Sequence, residues 1–260
     1  MRMSVSTPQP TPYSDINIFL KLFLSAMQST LGDQFIGLYL GGSLALGDFN
    51  PDRSDIDFVA VTFDELPPER VAALQAMHTR LWDTGTKWAR KLDGSYVPQQ
   101  VFRHWTAGHP PCPFVEGDEF TVTQQGSALI QRHIIHQHGI MVAGPHPQEL
   151  LDPVGMEELR RAQHEILESS WRPLLDDPAW VKQSRMQPFA ILTMCRTLYA
   201  LEHGVLASKP VAARWFKQAI GRQWTELIDW ALASPHDTES SRLAATLSLI
   251  EYTLDRHKHL

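Results

Sequence analysis

The sequence predicts an α+β protein in two parts, a mixed sheet with flanking helices followed by an α-helical bundle domain. Three observations lead there. FIGLYL (35–40) and IDFVAV (56–61) are short apolar runs bounded by glycine, asparagine and aspartate, the pattern of buried strands. They are interleaved with longer stretches whose apolar residues recur three and four apart, the helical period. Beyond GPHPQELLDPV (144–154), where prolines punctuate the chain, every segment follows the helical period. The expected division is a flexible N-terminus over 1–12, a first domain over 13–146 and a helical domain over 147–260.

The elements follow in order. Ile18, Phe19, Leu22, Phe23 and Met27 fall at helical spacing within 15–30, with Asp15 as the expected N-cap. The strand at 35–40 runs into GGS, and GDFNPDRSD leads to the strand at 56–61. Val71, Leu74, Met77 and Leu81 predict a helix from Pro68 to about Leu92. SYVPQQVF (95–102) reads as β, HPPCPF as a proline-rich loop, FTVTQ as a strand, 127–138 as a helix and GIMVAG as a short strand. In the second part, helices are expected over 155–171, 188–203, 210–219, 223–233 and 238–256.

Composition narrows the function classes. Apolar residues are 43% and charged residues 20%, as in a soluble globular protein with a core. The formal charge of −6 argues against a stable nucleic-acid partner, which calls for a basic surface. Cys112 and Cys195 form no CxxC, so a disulfide framework or thiolate zinc site is not expected and a cytoplasmic setting is. The stretch MRMSVSTPQPTPYSD lacks the apolar core of a secretion signal, and no apolar run is long enough to span a membrane.

The chemistry concentrates in GGSLALGDFNPDRSDIDFVAV (41–61). In a strand, residues two apart share a face, so Asp55 and Asp57 are expected side by side. Two bare carboxylates repel, and a divalent cation removes the penalty; an all-oxygen set with open positions suits Mg²⁺ together with phosphates. Gly41, Gly42 and Ser43 follow a strand and let backbone N–H groups approach an anion, with the Ser43 hydroxyl as a further donor. The stretch lacks the lysine of a P-loop, and there is no GxGxxG. An isolated DxD would read as a solvated strand edge; GGS, Gly47 and Ser54-Asp55-x-Asp57 together form a specific spacing.

That spacing resembles the signature of the polymerase-β-like nucleotidyltransferase superfamily. ILTMCRTLYALEHGVLASKPVAARWF (191–216) and HGIMVAGPHPQELLDPV (138–154) are similar to segments of the bacterial aminoglycoside adenylyltransferases of the spectinomycin/streptomycin (3''/9) type. The resemblance implies a Mg²⁺-dependent enzyme, with two ions expected, that moves AMP from ATP onto a hydroxyl of a small molecule and releases pyrophosphate. It implies Asp55 and Asp57 as metal ligands, and Asp93 in KLDGSYVP as a third carboxylate that ligates metal or deprotonates the acceptor. Asp118 and Glu119 are the alternatives to Asp93. Gly42, Ser43 and Ser54 would bind the triphosphate, joined by Arg196 and Lys209 from a helical domain that closes over the nucleotide and acceptor cleft.

Two departures bear on the acceptor. Family members often carry Glu where Asp93 stands, and dual-specificity members carry an acidic residue and a histidine where this chain has Met186 and Phe189. A cationic aminoglycoside loses a carboxylate partner there, which leaves spectinomycin or another hydroxylated acceptor open. The competing readings are adenylylation of a protein or RNA, and a nucleotide-binding regulatory module without transfer. A monomer or weak dimer is expected. The histidines of RHIIHQH (His133, His136, His138) lack a completing ligand and read as packing, Trp105 or Trp171 as core anchors or cleft residues, and Cys112 as no nucleophile.

Overall fold

The computed structural model describes residues 9–104, 109–124, 128–233 and 241–259. The chain divides into two compact units, Met1–Pro153 and Val154–Leu260. That division falls seven residues beyond the expected 146.

The first unit is a six-stranded sheet. Its strands are β1 (Phe35–Leu40), β2 (Ile56–Thr62), β3 (Leu92–Pro98), β4 (Cys112–Glu116), β5 (Glu119–Thr123) and β6 (Ile140–Ala143), in the order β5-β4-β3-β2-β1-β6. Among the described strands β2 and β3 run parallel, and the other neighbours are antiparallel. Parallel neighbours need a crossover, supplied by helix α3 (Pro68–Asp83). Helix α1 (Ser14–Leu31) and α3 bury Phe19, Phe23, Met27, Leu74, Met77 and Leu81 in one cluster with Leu38, Ile56, Phe58, Tyr96 and Val115 of the sheet. Alternate strand residues point the other way. Tyr39, Val59, Val61 and Val97 accordingly join a second cluster with Phe102 of α4 (Gln99–Arg103), Ile135 of α5 (Ala128–His138) and Leu150 of α6 (Pro147–Leu150).

Several expectations are corrected. Tyr13, not Asp15, is the N-cap of α1; Asp15 sits in the first turn and accepts a 2.9 Å hydrogen bond from Trp88 Nε1. Thr11 is buried and donates to Asn17 Oδ1 from its N–H (3.0 Å) and its hydroxyl (2.9 Å), which ties residue 11 to the start of α1. Residues 1–8 of the expected 1–12 tail lie outside the described residues, as do Trp105 and the start of the 127–138 helix. The helix expected to about Leu92 ends at Asp83, where Thr84-Gly85-Thr86 interrupts it, and a 3₁₀ turn (Lys87–Arg90) leads into β3. The β segment expected to residue 102 ends at Pro98, which caps α4. HPPCPF is not all loop: its Cys112–Phe114 begin β4. Pro113 is tolerated because β3 pairs only with Phe114–Glu116, leaving Pro113 beside β5 alone.

The second unit is helical: α7 (Met156–Ile166), α8 (Pro173–Asp176), α9 (Met186–His203), α10 (Lys209–Ala219), α11 (Thr225–Ala233) and α12 (Leu243–Arg256). Part of the expected 238–256 helix, residues 238–240, lies outside the described residues. The expected 155–171 helix is α7 continued by a π-helical turn, Leu167–Trp171. Helix α9 is the hub: Ile191, Met194, Cys195, Leu198 and Leu201 are buried with Phe216 of α10, Ile228 of α11 and Leu249 and Ile250 of α12. A helix apolar on nearly every side belongs in the middle of a bundle. No described helix is long and apolar enough to cross a membrane.

Candidate active site

Gly41 ends β1 by donating its N–H to the Asp57 carbonyl (2.9 Å), and Gly42–Ala45 then make one helical turn, α2. The leading N–H groups of such a turn have no carbonyl within it to bond. Gly42 has φ +50°, and a Cβ there would collide with Asp57 Oδ2 and Cγ. The glycine is thus required twice: by its left-handed backbone, and because the Asp57 carboxylate lies against it. Ser43 follows in the same turn, with its carbonyl accepting the Asp48 N–H at 3.0 Å.

Asp57 on β2 and Asp93 on β3 are direct partners in the parallel register. Partners in register point to the same face. The row continues, since Asp93 is opposite Glu116 of β4 and Glu116 opposite Glu119 of β5. The last pair is imposed by the two-residue turn Gly117-Asp118, with φ +63° at Gly117 as a type II′ hairpin requires at its first position. Phe114, Glu116, Glu119, Thr121 and Thr123 line an open depression of about 460 Å³ on these outer strands.

Asp55 immediately precedes β2, which begins at Ile56 as expected. Its carboxylate is half exposed and stands 3.9 Å from Lys91 Nζ, which donates to the Ser54 carbonyl at 3.2 Å. The Ser54 hydroxyl accepts the Asn50 N–H (3.1 Å) and closes the 50–54 loop, as does its own N–H to the Asn50 carbonyl (2.8 Å). Of the alternatives to Asp93, Asp118 is turned to Arg90 in a 2.8 Å ion pair, whereas Glu119 belongs to the carboxylate row. Lys91 and Glu116 were not anticipated. Lys91 shows no motif, and Glu116 is concealed by the prolines before it.

Carboxylates beside a glycine turn form a hard, all-oxygen donor set. Among the described residues no group of three or more His, Cys, Asp or Glu side chains is gathered to hold a metal ion. Mg²⁺ ordinarily takes one or two carboxylates and fills its remaining positions with water and phosphate oxygens. The Asp57 carboxylate, cradled where a Cβ at Gly42 would lie, fits that kind of site.

In the helical unit, Arg196 of α9 donates from Nε to the Ala207 carbonyl at 3.1 Å. Ser208 is the N-cap of α10 and Lys209 its first residue. Ser208 is buried, its side chain makes no capping bond, and its Oγ has no hydrogen-bond partner. Arg196 and Lys209 therefore meet at one helix N-terminus, where an anion is favoured. Lys209 Nζ lies 5.6 Å from the centre of the Phe189 ring, a cation–π contact, and Phe189 stacks on Trp171. Both cysteines are free and buried; burial, with Glu65, pushes the Cys112 thiol up to about 11, away from nucleophilic use.

Residues 20–88 match the nucleotidyltransferase domain family, and residues 149–258 match the family described as aminoglycoside adenylyltransferase, C-terminal domain. Residues 149–258 thus carry the aminoglycoside adenylyltransferase C-terminal domain, behind a nucleotidyltransferase domain. Among similar proteins, the aminoglycoside (3'') (9) adenylyltransferase of Escherichia coli is 30% identical over 115 residues, 44% of this chain and 41% of the relative. The protein of the same name from Klebsiella pneumoniae is 32% identical over 92 residues, 35% of this chain and 32% of the relative. These matches thus span well under half of the relatives' length. The crystal structure of spectinomycin adenyltransferase AAD(9) from Enterococcus faecialis, with ATP and spectinomycin, superposes with a TM-score of 0.72 at 19% identity. It covers 93% of this chain and 99% of that one. At that identity the likeness establishes the shared fold.

Proposed function

We propose that the protein transfers AMP from ATP to a hydroxyl group of a small polyol, an aminocyclitol such as spectinomycin or a related aminoglycoside, and releases pyrophosphate. The observation that carries this reading is the Asp57–Asp93 register pair on the face where the Asp57 carboxylate lies against Gly42. The relatives' names point to the same reaction class and acceptor.

In this reading Asp55 and Asp57 hold Mg²⁺, with Asp93 as a further ligand or as the base. Held there, Mg²⁺ would supply positive charge against the phosphates. Asp93 takes the acceptor's hydroxyl proton. The freed oxygen bonds to the α-phosphorus as the bond to the β-phosphate oxygen breaks, and pyrophosphate departs. The turn N–H groups of Gly42 and Ser43, the Ser43 hydroxyl and Ser54 bind phosphate oxygens. Arg196 and Lys209 add the positive charge that a triphosphate requires beyond the metal.

Asp55→Asn tests the proposal. Pyrophosphate release with ATP, Mg²⁺ and spectinomycin should fall at least a hundredfold, on the order expected for losing electrostatic stabilisation of developing charge, while circular dichroism stays unchanged. Full turnover by the variant would refute it.

A further inference from the structure

We propose that Lys91 is a positioning residue for Asp55. The proposal rests on the reading of Asp55 as a metal ligand. Asp55 sits just before the first residue of β2, with its carboxylate half exposed. A ligand to a hard cation with strict geometry must nevertheless be held in place.

Lys91 makes three contacts with the segment 54–56. Its carbonyl accepts the Ile56 N–H at 2.6 Å, continuing the β2–β3 pairing one step beyond Ile56↔Leu92. Its ammonium donates to the Ser54 carbonyl at 3.2 Å and stands 3.9 Å from Asp55 Oδ1. The two distances divide the labour. At 3.2 Å the ammonium anchors the backbone on the N-terminal side of Asp55. At 3.9 Å it is too far to hydrogen-bond the carboxylate yet close enough for its charge to act on the Asp55 carboxylate. The carboxylate oxygens thus keep their lone pairs for a cation.

Exposure separates this arrangement from an ordinary surface ion pair. The Lys91 side chain is 20% exposed against 48% for Asp55. Exposed pairs gain little because water screens them and both side chains lose freedom. Here the lysine is largely buried, and its ammonium is already committed to a backbone carbonyl.

The test is Mn²⁺ binding to the nucleotide-free full chain, followed by electron paramagnetic resonance, with Mn²⁺ as a reporter of hard-cation sites. Lys91→Met, which keeps the stem and removes the ammonium, should weaken binding about tenfold (~1.4 kcal/mol). Lys91→Arg, which keeps the charge and donors, should stay within about threefold of the unsubstituted chain. Lys91→Gln, which keeps a donor without the charge, should fall between and serves if the Met variant does not fold. In steady-state turnover Lys91→Met should raise KM for Mg²⁺ by a larger factor than it lowers kcat. Unchanged or tighter Mn²⁺ binding by Lys91→Met overturns the proposal, as does absence of Mn²⁺ binding by the unsubstituted chain. Failure of the AMP-transfer reading is a separate result: no pyrophosphate release across acceptors while Mn²⁺ binding still depends on residue 91.

Discussion

Asp57 and Asp93 occupy directly opposed positions on the two parallel strands of the sheet. Like charges directly opposite are destabilising, so this placement works against the fold when no cation is bound. Asp93→Asn should therefore raise stability by a few tenths of a kcal/mol to about 1 kcal/mol in chelator-treated buffer. The same change should reduce AMP transfer at least a hundredfold, the scale of a lost general base. Paired thermal melts and pyrophosphate assays read both; a variant that is neither more stable nor less active would contradict the role.

Gly42→Ala tests the cradle. Its Cβ would enter the volume of the Asp57 carboxylate, and φ +50° is left-handed backbone. Left-handed backbone costs an L-residue roughly 1–2 kcal/mol, and the carboxylate must move as well. A modest loss of stability with a much larger loss of Mg²⁺-dependent activity is expected. Calorimetric Mn²⁺ affinity equal to that of the unsubstituted chain would show that the Asp57 position is not critical.

Arg196 and Lys209 are linked through the Ala207–Ser208 segment, which the Arg196 side chain bonds. Arg196→Met and Lys209→Met should each raise KM for ATP about tenfold. The double variant should lose less than the product, because neighbouring groups on one ligand couple. Strict additivity in this cycle would argue for separate, unrelated roles.

Strands buried on both faces were legible, because β1 and β2 are continuous apolar runs and need no partner to be recognised. Asp57 was legible for the same reason. Asp55 was legible as the residue just before β2, since the apolar run IDFVAV and the strand both start at Ile56. Strand β4 was obscured by Pro113, whose missing N–H matters only where β3 would have needed it. Glu116 and Lys91 acquire their neighbours through the register of β3 against β4 and β2, a long-range property with no local mark. The end of α3 is masked in the sequence because apolar periodicity persists past the Thr84-Gly85-Thr86 break.

His78 predicts an acid-sensitive first unit. It is fully buried on α3, its Nε2 shares a 2.7 Å hydrogen bond with the Tyr96 hydroxyl, and its Nδ1 has no partner. Phe23, Trp82, Tyr96 and Phe120 surround the ring. Burial lowers its pKa from 6.5 to about 3, so the folded chain keeps the ring neutral where the unfolded chain would protonate it. The unfolded state then binds more protons between these values. The stability this neutrality confers is complete above pH 6.5 and is lost as pH falls toward 3, with a slope of up to about 1.4 kcal/mol per pH unit. His78→Gln keeps a group able to bond Tyr96 but does not titrate. Urea denaturation at pH 7, 6 and 5 should show the unsubstituted chain losing more stability than the variant, by on the order of 1–2 kcal/mol over that range. Other titrating groups act alike in both chains, so the difference isolates His78; parallel curves would mean that the imidazole accepts its proton in the folded state.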